Sequence, residues 1–384
     1  MRLLYIVNAV AVHGGLERIL IDKVNWLAEK SDHEIHVVTF DQGNHLLAFP
    51  LHPNVDFCDI DVSIHRIYQY SGIKRLLYGH KLHNLLLKRL KQTIKGINPD
   101  IIFCLQKNHI NDIVHSAGCT PIVFESHSSR KGGLLEALTL WKKIKALFNE
   151  KSYEYSIKKV KCVVALTQGD AIEWQNVNQN VVIIPNVVHL NHTGRNSCLI
   201  EKKVVFVGRY AAQKDIGSLL SIWQIIHFRH PDWQLDIYGG YGPELDKWFD
   251  IVGVQQANVF AHHSVSDLSA IFLHSSMLLL TSLYEPFGLV IPEAMSYGLP
   301  VVSFDCPYGP ADIITHGVNG FLVKGRNIDL FANYVCQLIE DEQLRVKMGE
   351  AASMSSQRYD ADIIMPKWLT LFDDLLASSK TGSK

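Results

Sequence analysis

The chain has 384 residues, and its charges nearly cancel: 37 Lys and Arg against 38 Asp and Glu. Hydrophobic residues make up 47% and charged residues 20%, which excludes a disordered or fibrous chain. No apolar run exceeds five residues, which argues against a membrane-spanning helix, and the basic bias of nucleic-acid binders is missing. At roughly 100–200 residues per domain, two domains are expected.

Leu3-Leu4-Tyr5-Ile6-Val7, with Arg2 before it and Ala9-Val10-Ala11 after it, loosely imitates a signal peptide. The apolar core is too short and Asn8 interrupts it, so a buried first strand is expected. The seven cysteines are odd in number and lack a C-x-x-C pair. Free thiols in a reducing cytoplasm are expected, with no cysteine-based metal site. The sequon at Asn191 then carries no glycan.

Helical spacing of Leu16, Ile19, Leu20, Val24 and Leu27 predicts a helix over about 16–30. Strand-like runs follow at Ile35–Phe40, Ile101–Leu105, Ile122–Glu125 and Cys162–Leu166. A second series has strands at Val204–Gly208, Gln234–Tyr238, Asn258–Ala261, Met277–Thr281, Val301–Phe304 and Phe321–Val323. Helical stretches lie between them, at about 215–229, 243–252, 266–274, 292–297 and 327–341. This alternation predicts an α/β protein with two Rossmann-like halves, 1–190 and 191–384. The polar segment Asn191–Glu201 is the expected linker.

The halves differ in charge. Residues 1–190 hold 22 basic and 17 acidic residues; residues 191–384 hold 15 and 21. From Val62 to Pro99 there are eight basic residues and no acidic one, with Leu76, Leu77, Leu82, Leu85, Leu86 and Leu90 interleaved. Two readings stay open: a basic amphipathic surface for an anionic membrane, or a solvated helix packed on its own sheet.

The segment Glu285-Pro-Phe-Gly-Leu-Val-Ile-Pro-Glu293 follows a strand and opens a helix. Pro292 and Glu293 suit a first helical turn. The backbone of Phe287, Gly288, Leu289, Val290 and Ile291 then supplies amide donors for phosphate or sugar oxygens. Two glutamates bracketing that turn can reach opposite ends of one ligand.

Glu-x7-Glu followed by Gly298-Leu-Pro-Val-Val resembles the retaining glycosyltransferases of family 4, which have the GT-B fold. Asn8 and His13-Gly14-Gly15-Leu16-Glu17 are similar to that family's N-terminal glycine loop. Val204–Arg209 with Lys214 is similar to its G-R…K element, Asp236–Pro243 to its G-x-G-P turn, and Ile184–Val187 to the end of its first domain. Asp305–Val323 is similar to members that build bacterial surface polysaccharides.

The resemblance implies that Arg209, Lys214, Gly14 and Gly15 grip the donor diphosphate. It implies that Glu285, with Phe287, Gly288 and Leu289, holds the donor sugar, and that Glu293, with Val290, holds the nucleotide ribose. His127 matches the histidine near the sugar and acceptor, so Glu285 and His127 are the implied catalytic pair. Ala361–Leu376 matches the last helix, which crosses back onto the first domain, with Trp368, Leu369, Leu371 and Phe372 as its apolar face. The resemblance further implies metal-independent transfer, with no cofactor, from a nucleotide-diphosphate sugar to a glycan or glycolipid. An anionic membrane touching 62–99 is an expected partner; nucleic acid is not.

His262-His263 stands where many relatives place a glycine near the base, a departure from the family pattern at the position that meets the nucleobase. Asp59-Ile60-Asp61 matches the metal-binding D-x-D of another fold, but such a tripeptide arises often by chance. Two other functions remain open: a sugar-nucleotide epimerase on the same fold, and a silent nucleotide-sugar-binding subunit.

Overall fold

The computed structural model describes residues 1–135, 139–239 and 258–381. The helical stretch expected at 243–252 and most of the expected G-x-G-P turn lie outside the described residues.

The first sheet holds β1 (Arg2–Val7), β2 (Glu34–Thr39), β3 (Val55–Asp59), β4 (Ile101–Cys104), β5 (Ile122–Ser126), β6 (Cys162–Ala165) and β7 (Val181–Ile183). Its order is β3-β2-β1-β4-β5-β6-β7, all parallel. Leu3 to Val7 are buried on both faces, which is why the central strand reads as an unbroken apolar run. β3 and β7 lie at the edges and were not expected. They are short and partly exposed, so their apolar signal is weak.

The second sheet holds β8 (Lys203–Val207), β9 (Gln234–Tyr238), β10 (Val259–His262), β11 (Met277–Leu280), β12 (Val301–Phe304) and β13 (Gly320–Val323). Its order is β10-β9-β8-β11-β12-β13, again parallel. The expected strands appear within a residue or two.

Each sheet is covered on both faces. On the first, Leu20, Val24 and Leu27 of the helix Gly15–Lys30 pack on Tyr5, Val37 and Phe103. The last helix, Ala361–Thr381, joins this same core through Ile364, Met365, Trp368, Leu371, Phe372 and Leu375. The chain's end therefore crosses back onto its first half. Burying these six side chains is worth roughly 1.5–3 kcal/mol each before entropy is counted.

On the opposite face Leu82, Leu86, Leu90 and Ile94 of the helix Gly72–Ile97 are buried. This part of the basic stretch packs on its own sheet. Ile73, Leu76 and Leu77, at the start of the same helix, remain exposed.

Candidate active site

Both sheets reverse their order beside the first strand: β1 lies between β2 and β4, and β8 between β9 and β11. In parallel α/β sheets ligands settle at such switch points, outside the carboxyl ends of the strands. The loops after β1, β5, β8 and β11 carry the expected site residues.

After β11 the chain turns through Thr281–Phe287. Glu285 is 5% exposed. Its Oε1 accepts a hydrogen bond from Ser282 Oγ at 2.7 Å and an ion pair from Lys214, which follows β8. Its backbone is fixed on both sides: its N–H donates to Pro307 O at 3.0 Å, and its carbonyl accepts from Gly309 N–H at 2.8 Å. A Cβ on Gly309 would stand 1.9 Å from Phe287 O, so only glycine lets the two turns approach this closely.

Gly288 takes φ +90°, which a side chain would strain. The amides of Gly288 and Leu289 find no acceptor among the described residues. Val290 begins the helix Val290–Ser296. The Phe287 ring is buried against Tyr359, which leaves its backbone to meet a ligand.

The glycine loop of the first half lies directly opposite. A Cβ on Gly15 would lie 3.5 Å from Leu289 Cδ1. Gly14 caps the helix Gly15–Lys30 without any side-chain bond, and Glu17 folds back over it. Glu293 also faces the first half. Burial pushes its carboxyl up to about 7, against the pull of Arg18 and His189. No hydrogen bond or ion pair holds that carboxylate among the described residues. Arg209 is exposed at the end of β8, and its guanidinium makes no ion pair among the described residues.

His127 follows β5. Its ring donates Nε2–H to Glu125 at 3.0 Å, and Nδ1 is buried without a partner. Asp170 holds the loop around it, accepting from Ser126 Oγ at 2.6 Å and from Arg130 N–H at 2.9 Å. Lys107 donates to Ser129 O at 3.0 Å and to Arg130 O at 2.7 Å. The halves also touch beside this loop, where Gln168 N–H donates to Asp312 at 2.5 Å.

Residues 13–192 match the model described as Glycosyltransferase Family 4, and residues 196–354 match Glycosyl transferases group 1. The chain belongs to the GT-B glycosyltransferases. It is 26% identical to an uncharacterized glycosyltransferase of Haemophilus influenzae over 92% of this chain and 95% of that protein. It is 24% identical to a lipopolysaccharide 1,6-galactosyltransferase of Salmonella typhimurium over 89% of this chain and 90% of that protein. Its fold is that of TarM from S. aureus, solved with fondaparinux, alpha-GlcNAc-glycerol and UDP. The TM-score is 0.77 at 17% identity, covering 97% of this chain and 99% of that one.

Three supports of this glycosyltransferase's cleft were missed in the sequence. Arg326 donates to Thr281 O at 3.0 Å and to Ser282 O at 2.9 Å, and it pairs with Asp215, the cap of the helix Ile216–Arg229. It therefore ties the Glu285 turn to the segment that carries Lys214. Its partners lie 44 to 111 positions away, so nothing local announces it. Asp170 likewise meets Ser126 and Arg130 only in the fold. Glu125 is buried between Lys23 and His127.

The D-x-D aspartates have structural partners. Asp59 accepts from Thr39 Oγ1 at 2.9 Å and from Gly43 N–H at 3.1 Å. His262 stacks on Tyr238 with centroids 4.4 Å apart and lies 3.1 Å from Asp236. Among the described residues no cluster of His, Cys, Asp or Glu is arranged to hold a metal ion.

Proposed function

We propose that this glycosyltransferase is a retaining, metal-independent enzyme. It moves a hexose or N-acetylhexosamine from a nucleotide-diphosphate sugar, a UDP-sugar first, to a growing lipid-linked surface glycan. The observation that supports it most is the buried Glu285 carboxylate, held by Lys214 and Ser282 opposite the glycine loop of the other half. UDP in the TarM structure and lipopolysaccharide in the name of the Salmonella relative support the donor and acceptor classes.

In this reading Lys214, Arg209 and the amides of Gly14 and Gly15 take the charge that grows on the departing diphosphate. Glu285, with the amides of Gly288 and Leu289, holds the sugar hydroxyls. Glu293 accepts from the ribose hydroxyls; a carboxyl that titrates near 7 gains from such donors, which favour its ionised form. The acceptor oxygen attacks the face that the diphosphate leaves, and a leaving phosphate oxygen takes its proton. No protein nucleophile is assigned. His127 sits at the acceptor side, where its buried Nδ1 is the nitrogen open to a partner.

No helix among the described residues is long and apolar enough to cross a membrane. A cytoplasmic enzyme at the inner membrane face agrees with that finding and with the basic stretch 62–99.

A thermal-shift panel of UDP-, GDP- and ADP-sugars tests the donor. A rise in melting temperature with UDP-sugars alone is expected, since a ligand stabilises the state it binds. Incubation with the donor alone tests the alternatives. Isomerised sugar without an acceptor would make the protein an epimerase; binding without turnover under any acceptor would make it a silent subunit.

A further inference from the structure

The helix Leu140–Ile157 carries an apolar stripe on its solvent face. Leu140, Trp141, Ile144, Leu147 and Phe148 are all exposed, Trp141 to 81% and Phe148 to 72%. At 3.6 residues per turn they fall within an arc of about 120°. Lys143 and Lys145 border that arc on its two sides. The helix's acids, Glu150 and Glu154, are drawn inward, paired with Lys107 and Arg130.

Placement in the fold gives this stripe a direction. The helix lies between the end of β5 and the start of β6, so it starts at the carboxyl edge of the sheet, where the cleft opens. Its later turns dock against the fold. Tyr153 Oη donates to Asn108 at 3.2 Å, and Ser156 Oγ donates to Asn111 at 2.5 Å. Leu140 lies thirteen residues before Tyr153, roughly 20 Å along the axis.

The helix Gly72–Ile97 does the same on the other side of the short helix Ile110–Ser116. It packs on the core from Tyr78 onward, and its first turns expose Ile73, Leu76 and Leu77 beside Lys74 and Arg75. Two apolar prongs with basic borders thus stand at the carboxyl edge of the first sheet.

We propose that Leu140–Phe148 is an interfacial anchor that seats the first half on an anionic lipid bilayer, together with the start of the Gly72–Ile97 helix. This rests on the acceptor being lipid-linked. The charge pattern selects the occupant. Trp, Phe and Leu flanked by lysines, with no free acid, suit anionic headgroups. Protein interface cores, by contrast, are depleted of lysine. Long lysine stems lie along the apolar surface while their ammonium groups reach the phosphates.

The test uses the full chain and vesicles of phosphatidylcholine with or without phosphatidylglycerol. Co-flotation with the anionic vesicles is expected, falling about tenfold in Trp141→Asp/Phe148→Asp. Lys143→Glu/Lys145→Glu keeps the apolar stripe and should lose anionic preference. Brominated lipids should quench the emission of Trp141, and Trp141→Phe should remove that quenching. Equal flotation of the double Asp variant and the parent would overturn the proposal. So would a parent dimer, seen by light scattering, that Trp141→Asp turns into monomer, because the stripe would then be a self-interface. Transfer to a water-soluble acceptor fragment should be unchanged in these variants. If the parent shows no such transfer yet floats as described, the functional reading fails and the anchor stands.

Discussion

His127 donates its Nε2 hydrogen to Glu125 Oε2 at 3.0 Å, and the same carboxylate oxygen receives the ammonium of Lys23. One buried carboxylate thereby joins the loop after β5 to the first helix of the chain. Burial pushes the Glu125 carboxyl up, but Lys23 and His127 outweigh it and hold it below its ordinary value. An ionised carboxylate only accepts, so Nε2 carries the hydrogen and Nδ1 is left open. Trp368 of the crossing helix covers the ammonium, with Lys23 Nζ 3.9 Å from its ring centroid.

Removing one member of this pair should be costly. Glu125→Gln leaves the Lys23 charge buried without a counter-ion, and a loss of about 3–5 kcal/mol is expected. Lys23→Met/Glu125→Gln removes both charges and should recover most of that loss. Urea denaturation of the two single variants and the double variant measures the coupling directly.

Glu293 should make the free enzyme's stability depend on pH. Its folded carboxyl titrates near 7, above the unfolded value of 4.5. Ionisation therefore opposes folding. The penalty is absent below about pH 4.5, grows between 4.5 and 7, and is complete above 7. Its ceiling is about 3 kcal/mol, and partial solvent contact reduces it. Glu293→Gln should then melt higher than the parent at pH 8 and at the same temperature at pH 4.5. Differential scanning calorimetry at the two pH values checks this, and a higher melting temperature for the variant at pH 4.5 alone would have the wrong sign.

Arg326 positions the Glu285 turn without belonging to the expected site. Arg326→Ala frees the carbonyls of Thr281 and Ser282, and Arg326→Lys cannot reproduce a planar fork on two carbonyls and a carboxylate. A displacement near 1 Å at the sugar is worth about a hundredfold in rate. Steady-state kinetics should show kcat reduced by about tenfold or more in both variants, with little change in nucleotide affinity. A full rate with lysine would assign Arg326 a charge role only.

What the sequence displayed and what it concealed follow from distance along the chain. β1 and β11 were legible because central parallel strands are apolar on both faces. The Glu285–Glu293 segment was legible because its strand, turn and helix are contiguous. Arg326, Asp170 and Glu125 act on partners far away in sequence, so their roles exist only once the sheets have formed. The basic stretch was half legible. Leu82, Leu85, Leu86 and Leu90 pack on the sheet, while Ile73, Leu76 and Leu77 stay outside. The helix Leu140–Ile157 was not expected, and that its apolar stripe faces solvent rather than the core shows only in the fold.

The central claim is that Glu285 acts on the sugar and not on the nucleotide. Transfer and UDP binding should be measured side by side on Glu285→Ala, by product formation and by calorimetric titration. Transfer should be abolished while UDP affinity stays close to that of the parent. Loss of UDP binding with transfer retained would contradict the assignment.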